Sequence, residues 1–106
     1  LAGRLVSRVV APEDLLPTAR ALAREIADHT SAVSIALTRA MMWRMLGAAH
    51  PMAAHRIDSR CVHWTGRAAD ACEGVLSFLE KRPPRFTLSP SRDLPDFYPW
   101  WPEEEF

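Results

Sequence analysis

A chain of 106 residues, 48% apolar and 25% charged, has room for one domain with a modest core and the composition of ordinary soluble proteins. Its formal net charge is zero, which argues against a general nucleic-acid binder. Two cysteines make no disulfide framework, and no apolar run approaches the roughly 18 residues of a membrane span. No signal peptide is expected, since Leu1-Ala2-Gly3 runs straight into a strand-like segment, and the absence of an initiator Met fits a fragment.

Leu5-Val6-Ser7-Arg8-Val9-Val10 is β-branched and weakly alternating, and is expected to form one short strand. A lone strand cannot satisfy its own backbone groups, so it implies a sheet that the rest of the chain does not encode. Pro12, Glu13 and Asp14 suit a helix start. Leu15, Leu16, Ala19, Leu22, Ala23 and Ile26 then follow at helical spacing, which predicts a helix over about 12–29. Ser31 can cap a second helix, whose stripe is Val33, Ala36, Leu37, Ala40, Met41 and Met45 and whose stop is Gly47.

Pro51 can open a third helix, with Ile57, Cys61, Trp64 and Ala68 on one face and a break at Thr65-Gly66. A last helix over about 68–82 is expected to bury Ala71, Cys72, Val75, Leu76, Phe78 and Leu79 before Pro83-Pro84 end it. Beyond Phe86 the prolines forbid regular structure. Phe97, Tyr98, Trp100 and Trp101 are too apolar for a solvated linker, so this arm is expected to dock its aromatics on a surface. The fold class is therefore mainly α: one short N-terminal strand, three to four helices and an extended C-terminal arm.

Charge is unevenly placed. Residues 39–67 hold five arginines and three histidines against Asp58, and residues 93–106 hold five acids and no base. Lys81 is the one lysine among thirteen basic residues, a usage that fits genome composition. Cys61 and Cys72, about 16 Å apart if they share one helix, are beyond the ~7 Å reach of a bridge and read as free buried thiols of a reducing cytoplasm. The spacing of His50, His55, His63 and the two cysteines fits no metal site.

Asp70-Ala71-Cys72-Glu73-Gly74, Phe78-Leu79-Glu80-Lys81-Arg82, Pro83-Pro84 and Phe86 together resemble the C-terminal signature of the crotonase (enoyl-CoA hydratase/isomerase) superfamily. Gly3 to Val10 and the first two helical segments are similar to the stretch by which that family leaves its catalytic domain. The likeness covers about residues 3–86. It implies that residues 1–11 are a strand of a catalytic domain missing here. Residues 12–86 would be a helical unit for oligomerisation and the CoA pocket, and residues 87–106 a Pro/aromatic-rich acidic tail. It further implies enoyl-CoA hydratase chemistry for the full-length protein, with its own catalytic domain, acyl-CoA and a homo-oligomer (trimer or hexamer) as partners. Neither nucleic acid nor membrane is implied.

Coenzyme A would come as part of the substrate, with no tightly bound cofactor. The family's oxyanion hole and acids lie upstream of Leu1, so no residue here is expected to be catalytic. The resemblance places Lys81 within reach of the phosphorylated adenosine end of CoA, supplemented by Arg82 and Arg85. It leaves Phe78 either lining the acyl channel or packed in the core. Val62 stands where some hydratases carry an aromatic that contacts acyl-CoA, with His63 and Trp64 beside it as substitutes. Two rival readings remain. One is an autonomous helical interaction module. The other is a helix-turn-helix nucleic-acid binder, suggested by the arginines of residues 39–67.

Overall fold

The structure is a computed structural model and describes residues 5–102. It is mainly helical. A 3-10 turn (Pro12–Asp14) leads into α1 (Leu15–His29), followed by α2 (Ala32–Met45), α3 (Pro51–Thr65) and α4 (Ala69–Glu80). Residues 81–102 then run back as an arm without helix or strand.

The expected strand is absent among the described residues. Leu5 to Ala11 carries no ladder, and Leu5 and Val9 are exposed. The physical reason is the one that made a lone strand suspect: β structure requires a neighbouring edge to take its N–H and C=O groups, and no described segment offers one. The first helix begins as a 3-10 turn, closed by the Asp14 N–H donating to the Ala11 carbonyl at 3.0 Å. Ser31 occupies the N-cap of α2, but its side chain makes no capping bond. Only its carbonyl serves, accepting from the Ile35 N–H at 3.0 Å. α3 opens with Pro51 in its first turn and a histidine cap, His50 Nδ1 accepting from the Met52 N–H at 3.0 Å. It stops at Gly66, whose N–H donates to the Val62 carbonyl. A Cβ at Gly66 would stand 3.0 Å from that oxygen, a tight approach that glycine avoids.

The core is small and lies between α2 and α3. Val33, Leu37 and Cys61 are buried, with Met41, Ile57 and Trp64 packed around them. The arm completes it: Leu88, Leu94, Phe97, Tyr98 and Trp100 lie against the same cluster. Two stacked cations pin the arm to α2 and α3. The Arg44 guanidinium lies 4.4 Å from the Trp101 ring centroid and that of Arg60 lies 4.3 Å from Phe97.

The two outer helices are a different case. α1 buries no residue, although Leu15, Leu16, Leu22 and Ile26 form its apolar stripe. α4 was expected to bury Ala71, Cys72, Val75, Leu76, Phe78 and Leu79. Instead its buried residues are Asp70 and Ser77, while Phe78 is 71% and Leu79 66% exposed. Cys72 is likewise exposed, so of the two free thiols only Cys61 is buried. Helical spacing identifies an apolar face but does not say what meets it. Contacts from the arm to the Asp70 and Glu73 carboxylates turn the polar side of α4 inward.

Candidate functional site

The Asp-Ala-Cys-Glu-Gly run and the basic exit form one interlocked corner. Asp70 and Glu73 are three residues apart, so their side chains share a face of α4. Both accept from the returning chain. Asp70 is 5% exposed, and its Oδ1 takes the Thr87 N–H at 2.8 Å and the Leu88 N–H at 3.3 Å. Glu73 takes Arg82 as a fork, Nη1 to Oε1 at 2.6 Å and Nη2 to Oε2 at 2.9 Å. It also takes the Arg85 backbone N–H at 2.6 Å. Arg82 Nε donates in addition to Glu80 at 2.6 Å. Gly74 lies under Phe86, whose ring would be 3.8 Å from a Cβ there.

The electrostatics follow from these bonds. The Arg82 hydrogen bonds first, then the Arg85 N–H, hold the Glu73 carboxyl down at about 2. Hydrogen bonds to Glu73 and then Glu80 push Arg82 further up, so this pair is ionised at every physiological pH.

Lys81 ends α4 in the left-handed conformation, φ 56°. The Arg82 N–H donates to the Ser77 carbonyl at 3.1 Å and the Lys81 N–H to Phe78 at 3.4 Å, which is a Schellman closure with lysine in the position glycine usually holds. This turn aims the lysine back over its own helix: Nζ lies 4.5 Å from the Phe78 ring centroid. A cation and an exposed aromatic ring thus share one surface beside the last carbonyls of α4.

Of the residues singled out in the sequence, Lys81 and Phe78 meet here, while the Arg82 side chain turns to Glu73 and Glu80. Val62 does not join them. It is 62% exposed on α3 and lines a separate cavity of about 420 Å3 with Thr30, Ser34, Trp64, Ala71 and Phe86. The sequence presents Asp70 and Glu73 only within the signature string and does not mark them as anchors for the arm. Two acids one turn apart, followed by a basic segment that proline forces out of the helix, were the available signal. Among the described residues no group of three or more His, Cys, Asp or Glu could hold a metal ion. No helix there is long and apolar enough to cross a membrane.

A four-helix unit with this acid-anchored exit defines a class that comparison with known proteins makes explicit. The family model described as enoyl-CoA hydratase/isomerase matches residues 2–89, and the chain belongs to that family. It is 42% identical over 83 residues to Enoyl-CoA hydratase ACTT3 of Alternaria alternata, covering 77% of this chain and 27% of that protein. It is 40% identical over 86 residues to Enoyl-CoA hydratase AFT3-1 of the same organism, covering 81% and 28%. To a putative enoyl-CoA hydratase of Thermus thermophilus it is 34% identical over 82 residues, covering 77% and 32%. The chain therefore spans less than a third of the length of these relatives.

Proposed function

We propose that this chain is the C-terminal helical part of an enoyl-CoA hydratase, a lyase that adds water to a trans-2-enoyl-CoA to give the 3-hydroxyacyl-CoA, as in fatty-acid oxidation. Residues 12–86 would serve assembly of a trimer or hexamer and closure of the CoA site. Residues 1–11 would belong with the catalytic domain, and residues 87–106 would form the arm. The observation that carries this reading is the pair of bare apolar faces. α1 exposes Leu15, Leu16, Leu22 and Ile26, and α4 exposes Val75, Leu76, Phe78 and Leu79. Contiguous apolar surface of this kind marks an interface, and a catalytic domain and neighbouring subunits are its natural cover.

Substrate binding is assigned to the α4 corner. Lys81 offers a compact cation to the phosphates of CoA. Arg82, tied to Glu73 and Glu80, holds that corner in place, its charge offset by theirs. Phe78 contributes apolar surface for the acyl or pantetheine portion, and Val62 does so from α3. CoA arrives as part of the substrate and no tightly bound cofactor is invoked. Cys61 and Cys72, both unbridged, suit a reducing cytoplasm.

Hydration requires donors for the enolate oxyanion and a general acid and base. The chain spans less than a third of its hydratase relatives, and the resemblance puts those groups in the part it does not span, so the chain by itself should not turn over. Crotonyl-CoA hydration, followed as loss of the enoyl-thioester absorbance, tests this; turnover at an ordinary enzymatic rate overturns the division of labour. Calorimetry with CoA tests the corner, where Lys81→Ala should weaken binding. A second reading, an autonomous helical interaction module, draws support from the α2–α3–arm unit, which builds a core of its own. Sedimentation separates the two, because bare faces on α1 and α4 predict self-association, whereas an autonomous module stays monomeric and folded when dilute.

A further inference from the structure

A cavity of about 640 Å3 opens where the arm crosses α2, on a side of the molecule that the proposed CoA corner does not use. Ala36, Arg39, Ala40, Trp43 and Arg44 fall at i, i+3, i+4, i+7 and i+8, so they share one helix face. The alanines leave a shallow floor, and Arg39 and Trp43 rise from it. The opposite wall is the arm's Tyr98 and Trp101. That wall is rigid. Trp101 meets Tyr98 edge to face at 5.1 Å and Trp100 at 4.9 Å, while Arg44 stacks on it. Among the described residues the lining holds two guanidinium groups and no carboxylate, and neither arginine has an acidic partner within ion-pair distance.

We propose that this cleft binds a phosphate ester that also carries a planar aromatic ring, namely a nucleoside monophosphate. The volume is that of a small-molecule site. Guanidinium groups grip a phosphate through paired N–H donors, and indole faces take a planar ring by stacking. Both chemistries line one cleft, and the arrangement exists only because the arm folds back. Trp101 and Tyr98 lie beyond residue 89, where the family match ends. One wall of the site is thus a segment that the family match does not reach.

The test is titration of the full chain with AMP, adenosine and inorganic phosphate, read by tryptophan fluorescence and by shifts of the indole N–H resonances of Trp43 and Trp101. AMP should bind about tenfold or more tighter than either half alone, since each half makes one kind of contact. Arg39→Gln, an exposed substitution, should weaken AMP about tenfold. Lys81→Ala should leave AMP affinity unchanged, which separates this cleft from the proposed CoA corner. AMP binding no tighter than phosphate overturns the proposal. So does affinity indifferent to Arg39→Gln, loss of binding in Lys81→Ala, or shifts in the unaltered chain that spare Trp43 and Trp101. Should Arg39→Gln fail to fold, the resonance mapping on the unaltered chain decides by itself.

Discussion

Removing the Asp70 carboxylate should release the arm. Its Oδ1 accepts two backbone N–H groups from residues 17 and 18 positions later, and its side chain is almost wholly buried. Hydrogen bonds to a charged acceptor contribute about 1.5–3 kcal/mol each when well formed. The 2.8 Å bond from Thr87 qualifies, whereas the 3.3 Å bond from Leu88 is marginal. Against this stands Oδ2, which is buried with no partner and carries a desolvation cost. Asp70→Ala removes both bonds and the cost together, so the net loss should be about 2 kcal/mol. In a domain of this size that corresponds to a melting temperature lower by roughly 10 °C.

Asp70→Asn keeps an acceptor for both N–H groups and removes the buried charge, so it should lose about 1 kcal/mol or less. The assay is urea unfolding followed by tryptophan fluorescence. Trp100 packs on the core only through the arm, so its signal should change earlier in Asp70→Ala than the helical circular dichroism does. If Asp70→Ala falls within about 0.5 kcal/mol of the parent, or if Asp70→Asn is the worse of the two, the buried carboxylate is not what anchors the arm.

Further outcomes follow from the same corner. Glu73 is held at about 2, below the ordinary 4.5. Its contribution is complete above the unfolded value and is lost as pH falls from about 4.5 through 2, so acid titration should free the arm in that window and Glu73→Gln should abolish the dependence. Lys81→Gly should raise stability by about 1 kcal/mol, because the φ of 56° strains a side-chain-bearing residue. The same substitution should weaken CoA binding, a combination that loss of structure cannot produce. Burial first, then the Asp58 charge, push the Cys61 thiol up, so a disulfide reagent at mildly alkaline pH should label one thiol quickly, Cys72, and Cys61 only on unfolding.

What the amino-acid order settled without help was local. Proline at position 12 or 51, glycine at 66, the paired prolines after Arg82 and the 3.6-residue spacing of apolar side chains each act within a turn or two of chain, and all four helices lie where those signals put them. The family signature was legible for the same reason, as a short contiguous string. The contents of the interfaces were not. Whether Leu5 to Val10 pairs as a strand depends on an edge that must come from elsewhere, and the described chain supplies none. Phe78 and Leu79 of α4 lie bare, while Asp70 on the same helix is buried, because the arm returns to meet its carboxylate. That contact joins residues far apart in sequence, so no periodicity records it. Only the tertiary path of the arm decides which face of α4 turns inward and which stays open to a partner.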